Sequence, residues 1–269
     1  MALIAVFALL FCGSGCSAIK NGIDSVISLF HKETVRLTFP EGSTVAEMAL
    51  ILEEGGVCTA EEFRAQANNV ALLSEYGFEI ETPKNRAFAL EGYLFPDTYD
   101  FYVGEGAETA IGRFLKNTQK KLGDDILEQC AQSGFSLDEI LAIASVIQEE
   151  TGFVSEMGKV SSVLHNRLAS ASFSKLQCDV TIHYINDYVT NSKYLSGDTT
   201  NYAELYNTYK CDGLPAGPIT NPGLAAIEAA LYPAETNYYY FVTDSEWNYY
   251  YASTYAQHQA NCNKAGIKG

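Results

Sequence analysis

Apolar residues along this chain recur with two periods, and each change of period marks an element. Val35-Arg36-Leu37-Thr38-Phe39 alternates apolar and polar, the pattern of a half-buried strand. Pro40 to Ser43 turns the chain. Thr44 and Glu47 then form a T-x-x-E capping box, which opens a helix through Glu54. Thr59 and Glu62 repeat the device for a second helix, and a third helical patch spans Val70 to Tyr76. Thr82 to Arg86 is polar, contains Pro83 and reads as a boundary. Beyond it, Ala87 to Phe101 is extended and rich in aromatic residues, and helices follow at 108–122, 124–133, 137–151 and 155–170. Residues 186–210 are polar, with many Tyr and Asn, and predict a long functional loop containing a helical piece. A short helix at 224–231 precedes a hairpin whose strands, 238–243 and 249–252, flank Asp244–Asn248. The pattern predicts an α+β fold in two units, 35–82 and 83–263.

One helix stands out because its apolar face ends in acid. In SLDEILAIASVIQEETG, residues 136–152, Ser136 and Glu139 form a capping box and Gly152 supplies a stop. Ile140, Ile143, Ala144 and Ile147 share one face, which predicts burial of that face. Three residues further, the same face carries Glu150, while Glu149 turns about 100° away toward water. Burial and the negative end of the helix dipole both oppose charge on Glu150 and raise its pKa. A carboxyl still protonated near neutral pH suits a general acid. Taken alone, the segment reads first as a solvated Glu-Glu pair closing a surface helix.

Composition narrows the classes. The 269 residues suffice for one large domain or two modest ones, and 47% hydrophobic content with 18 tyrosines describes a folded protein. A formal net charge of −16 argues against binding nucleic acid, which needs clustered Lys and Arg. Residues 2–19 carry no charge and are barely long enough to span a bilayer core. They read as a transmembrane anchor, with a cleaved signal peptide as second reading and a lipid anchor at Cys16 as third. Each places the rest outside the cytoplasm. The basic region expected ahead of such a segment is missing, which suggests that the natural start lies upstream. Residues 20–34 read as an amphipathic juxtamembrane linker. The cysteines at 12, 16, 58, 130, 178, 211 and 262 form no C-x-x-C pair, and no His stands at metal-ligand spacing. Neither a metal nor a cofactor is implied. Five cysteines lie beyond the leader; Cys178 and Cys211 allow a disulfide, with free buried thiols as the default.

Three further segments align with the end of this helix. Glu91-Gly92-Tyr93-Leu94-Phe95-Pro96-Asp97-Thr98-Tyr99 precedes the turn Gln148-Glu149-Glu150-Thr151. Val163-Leu164-His165-Asn166-Arg167-Leu168 leads to Leu176-Gln177-Cys178-Asp179-Val180-Thr181, and Tyr206-Asn207-Thr208-Tyr209 is followed by Gly213-Leu214-Pro215 and Ile219-Thr220-Asn221-Pro222-Gly223. In this order the motifs resemble the endolytic murein transglycosylase (YceG-like) family, over roughly residues 35–262. The resemblance implies a membrane-anchored protein whose small LysM-like module precedes a lytic transglycosylase domain. The strand-helix-helix order of residues 35–76 suits such a glycan-binding module.

By resemblance, Glu150 is the catalytic acid, in agreement with the helix-face argument. The implied reaction cuts the β-1,4 bond between N-acetylmuramic acid and N-acetylglucosamine and leaves 1,6-anhydromuramoyl ends. An internal nucleophile, the sugar's own C6 hydroxyl, removes the need for the second carboxylate of ordinary glycosidases. The implied role is to end nascent glycan strands beside the cell-wall synthesis proteins, which become plausible partners. Two departures are visible: Gln148 stands where the family often has an acid, and Tyr249 where relatives frequently have His. Asn166 reads either as a ligand for an N-acetyl group or partner of Glu150, or as an amide bonded to backbone. Gln177, Asp179, Asn207 and Tyr209 complete the candidate substrate contacts, with Tyr206 structural. The segment around Asp97 reads as structural, and His165, His183 and His258 as satisfied singletons. Two rivals remain: a lysozyme-like hydrolase pairing Glu150 with Asp179, and a glycan-binding scaffold without catalysis.

Overall fold

Thr44 and Thr59 begin their helices as their side chains dictate. In the computed structural model, which describes residues 33–80, 86–190, 192–196 and 201–267, each accepts a hydrogen bond from the backbone three residues on, and each partner Glu reaches back. These caps open α1 (Val45–Glu54) and α2 (Ala60–Gln66), and α3 (Ala71–Glu75) follows. The apolar leader and residues 20–32 of the linker lie outside the described residues. Among the described residues, no single helix is long and apolar enough to cross a membrane.

The first strand, β1 (Thr34–Thr38), alternates as its sequence predicts, but its partner is remote. It pairs antiparallel with β2 (Thr98–Tyr102), Thr34 opposite Tyr102 and Thr38 opposite Thr98. Arg36 forks onto Asp100 at 2.8 and 2.9 Å on the outer face. The inner face puts Tyr99 and Phe101 against Phe39 and Phe114, with the Tyr99–Phe114 ring centroids 4.5 Å apart. The strand pair therefore crosses the polar stretch at 82–86. One hydrophobic core runs through both sides of it, from Val45 and Phe63 to Ile143 and Ile227.

Phe114 belongs to α4 (Ala107–Ser133), which kinks at Gly123, where φ is 58°. The two helices expected at 108–122 and 124–133 are its two arms. α5 (Leu137–Glu150) carries the acidic end, followed by α6 (Val154–Leu168), α7 (Val180–Tyr184) and a π-helical turn (Ile185–Val189). α8 (Tyr202–Tyr206), α9 (Leu224–Leu231), the hairpin β3 (Tyr240–Thr243) with β4 (Tyr249–Ala252), and α10 (Tyr255–Lys264) complete the chain. Where described, the expected loop at 186–210 holds two short helical pieces, the end of the π-helical turn and α8, joined by turns. Tyr184, Tyr202 and Tyr206 hold these pieces, since their rings are buried in the core, Tyr206 stacked on Tyr202 at 5.7 Å and tilted against Tyr184 at 5.4 Å.

α5 differs from its expectation in two respects. Its buried surface is not one face: every residue from Ile140 to Ile147 is buried, because α4, α6, α7 and α9 surround the helix. Burial of each large aliphatic side chain there contributes about 1.5–3 kcal/mol. The helix also stops before Gly152. Thr151 turns extended at φ −153°, and its hydroxyl accepts the Phe153 N–H. At the other end Asp138, in the first turn, accepts from the single Nη2 of Arg86 on both carboxylate oxygens, at 2.7 and 2.8 Å, and from the Tyr93 hydroxyl at 2.8 Å. Arg86 is 1% exposed, so the guanidinium side of this grip is desolvated, while Asp138 keeps partial contact with solvent.

A second buried network ties three loops together. Asn221 accepts the N–H groups of Gly92 and Leu94 at 2.9 Å each, and donates to Glu91 and to the Ser43 carbonyl. Glu91 also accepts the Val45 N–H at the start of α1 and, from the other side, the Tyr184 hydroxyl. Gly92 is required here: φ is +87°, and a Cβ would lie 2.5 Å from Pro218.

Candidate active site

Glu150 sits where α5 leaves the core, at the floor of a cleft of about 510 Å³. One wall comes from α6, whose Val163, Leu164 and Arg167 share a helical face. A second wall is the segment Leu176–Asp179, and a third is the hairpin with Tyr255 and His258 of α10. Burial raises the Glu150 pKa to about 7, and the Asp179 charge adds to the effect. The Cys178 thiol, against the same carboxyl, acts in the opposite direction. Tyr249 donates its hydroxyl to the Glu150 carbonyl at 3.3 Å, tying the hairpin to the end of α5. Glu149 leaves the cleft face as expected and remains exposed as a residue, but its carboxyl lies against Gly42. Burial there raises its pKa as well, with Glu47 contributing.

The wall at 176–179 holds its shape through Thr208, which is fully buried. Its carbonyl accepts the Gln177 N–H at 3.0 Å and its hydroxyl accepts the Cys178 N–H at 2.9 Å. Gln177 consequently adopts φ +56°, a conformation non-glycine residues rarely take. Its side-chain oxygen accepts a bond from Arg167 at 3.2 Å. Asp179 accepts the Tyr209 hydroxyl at 2.6 Å.

Of the residues singled out from sequence, Glu150, Gln177, Asp179 and Tyr209 line this one cleft. Asn166 and Asn207 do not line it. Asn166 lies about 100° around α6 from Arg167 and borders a separate groove with Phe135 and Leu214. Its amide donates to the Thr236 and Tyr238 carbonyls at 3.0 and 2.9 Å, the backbone-bonding alternative of its sequence reading. Asn207 accepts the Tyr209 N–H at 2.9 Å and shapes the turn that presents Tyr209. Tyr206 is fully buried and its hydroxyl accepts the Ala87 N–H. Cys178 and Cys211 are separate thiols.

Several cleft residues escaped the sequence reading. Arg167 is buried and donates to the Tyr239 and Leu176 carbonyls at 2.7 Å each, while its guanidinium covers Phe173 and Tyr240. It clamps two walls together. A basic residue inside an apolar helical face was the available signal. His258, expected as a satisfied singleton, instead lines the cleft: it stacks on Tyr240 at 5.1 Å, its buried Nδ1 has no hydrogen-bond partner among the described residues, and burial lowers its pKa. Its helix, α10, opens with a capping box of Thr254 and Gln257, a T-x-x-Q signature readable in the sequence. Trp247, the single tryptophan, projects from the hairpin turn into the cleft mouth. Among the described residues no group of three His, Cys, Asp or Glu converges as a metal site.

Fold and site together define an α+β protein with one elevated-pKa carboxyl beneath an aromatic-walled cleft. The chain belongs to the YceG-like family, whose sequence model matches residues 17–264. It is 29% identical over 236 residues to an endolytic murein transglycosylase of Bacillus subtilis (strain 168), a match covering 83% of this chain and 63% of the relative. A protein of the same name from Streptococcus pneumoniae serotype 2 (strain D39) is 29% identical over 242 residues, covering 84% of this chain and 43% of that one. The chain thus spans under two thirds of these relatives' lengths. A crystal structure of a YceG-like protein from Listeria monocytogenes superposes with a TM-score of 0.72 at 28% identity, covering 84% of this chain and 75% of that one.

Proposed function

We propose that the chain is a peptidoglycan lytic transglycosylase that cuts glycan strands internally with Glu150 as its acid. The observation that carries this reading is the single carboxyl of pKa about 7 at the cleft floor. A protonated Glu150 donates its proton to the glycosidic oxygen between N-acetylmuramic acid and N-acetylglucosamine. The C1–O bond breaks and an oxocarbenium-like sugar forms. Its C6 hydroxyl attacks C1, its proton returns to the Glu150 carboxylate, and the 1,6-anhydro ring closes. No water enters the balance. Glu150 ends the cycle protonated.

Asp179 shares the cleft, so a hydrolase using both carboxylates is the competing reading. The hydrogen bond from Tyr209 to Asp179 favours a positioning and electrostatic role instead, since it engages the carboxylate that a nucleophile would need free. Mass spectrometry of digested peptidoglycan separates the two: 1,6-anhydro ends are expected, and reducing ends would sink the lytic assignment. Glu150→Gln is expected to keep glycan binding and to lose cleavage. A wild type that binds but never cleaves would favour a scaffold.

The family names of the relatives support placing the enzyme at the cell wall. We extend the reading to an extracytoplasmic domain held at the membrane by residues 2–19, acting on nascent strands beside the synthesis proteins. The order β1-α1-α2-α3-β2, closed by an antiparallel strand pair, supports a LysM-like first module. Protease protection in intact cells and membrane fractionation of the full chain test the location.

A further inference from the structure

The tip of the β3–β4 hairpin combines exposure, strain and rigidity in one residue. Trp247 is 67% exposed at the cleft mouth, and its indole makes no hydrogen bond or ring contact among the described residues. Its backbone stands at φ +65°. For a bulky residue this conformation costs roughly 1–3 kcal/mol and persists only where the surroundings enforce it. Asp244 enforces it. The Asp244 carbonyl accepts the Trp247 N–H at 3.1 Å, while its carboxylate accepts the N–H groups of Glu246 and Asn248 at 2.9 and 3.0 Å and the Tyr250 hydroxyl at 2.9 Å. The molecule thus holds its one indole in open solvent, in a conformation glycine would take without strain, on a turn too well bonded to fold it away.

We propose that Trp247 is a stacking platform for a sugar ring of the bound glycan, at a subsite outside the reacting bond. This rests on the glycan-cleaving reading of the cleft. The position fits a remote subsite. Tyr249, tied to the Glu150 carbonyl, is two residues further on, where the strand begins, so Trp247 stands on the turn beyond it. Indole offers a large apolar face with little conformational entropy to lose, and the C–H face of a hexosamine is its natural counterpart. A platform there grips the strand and leaves the chemical step alone. It therefore sets KM and the preference for longer strands.

Because Trp247 is the only tryptophan, its emission reports on this position alone. Full-length protein carrying Glu150→Gln is titrated with N-acetylglucosaminyl–N-acetylmuramoyl oligomers of graded length. A saturable change in tryptophan emission is expected, stronger for longer oligomers. In the active enzyme, Trp247→Gly is expected to raise KM about tenfold, with kcat little changed, because uniform binding is lost. The same variant should melt no lower than wild type, since glycine removes the strain. A residue that merely supported the hairpin would instead lower the melting point. Trp247→Phe should recover part of the affinity. A wild-type KM in Trp247→Gly would overturn the proposal. So would an emission shift with phosphatidylglycerol vesicles and none with glycan, which would make the indole a membrane contact. If wild type cleaves no glycan, the reading of Glu150 fails, and the emission titration still decides Trp247.

Discussion

Glu150 keeps its proton at neutral pH because charge there has poor company: protein on most sides, Asp179 across the cleft, and the negative end of α5. The folded-state pKa of about 7 lies above the ordinary 4.5, so the folded protein holds an extra proton between those values. Stability contributed by this site therefore falls as pH rises from 4.5 through 7. At 1.36 kcal/mol for each pH unit, less some relief from the cleft's water, the full penalty is roughly 2–3 kcal/mol. Glu150→Gln should raise the unfolding free energy by that amount at pH 8 and by almost nothing at pH 4.5, as read by urea denaturation at the two values. Cleavage should decline as pH rises through about 7, where the acid is lost. Asp179→Asn removes the neighbouring charge, so the descending limb of the pH–rate profile is expected at lower pH. An unmoved limb would mean that burial alone sets the acid.

At the scale of elements, the parts readable in the sequence were those with local causes. Thr44, Thr59 and Ser136 announce their helices because a cap and its partner are three residues apart. Gly123 separates the two arms of α4 for an equally local reason. β1 was recognisable by alternation, but nothing near it points to β2, sixty residues on, since pairing is a long-range choice. Individual residues divide the same way. Glu150 follows from helix periodicity, whereas Thr208 and Asn221 acquire their importance only from loops that meet in space. Asn221 is the severest case. Its replacement by Ala would orphan the Gly92 and Leu94 N–H groups and strip Glu91 of a donor, all in the interior. We expect a loss of roughly 3 kcal/mol in chemical denaturation, since each buried unsatisfied group costs about 1–3 kcal/mol.

For the whole molecule, the decisive point is that the first unit shares its core with the rest. β1 finds its strand partner beyond residue 86, Glu91 caps α1, and Phe114 packs against Phe39. Calorimetry of the full chain is therefore expected to show one cooperative transition. A separate early melting of residues 33–80 would contradict this. The net charge of −16 adds self-repulsion, and added salt should raise the melting temperature modestly.

The complete burial of α5 from Ile140 to Ile147 also governs how such a protein can change over generations. Substitutions there that change side-chain volume strain the helix that carries the acid, so the site depends on the core being kept in shape. The five residues Asp244–Asn248 bear no such weight, being an exposed turn beyond the last paired strand residues. Variation in which strands are gripped, and how firmly, can accumulate at that turn while the cut itself stays fixed.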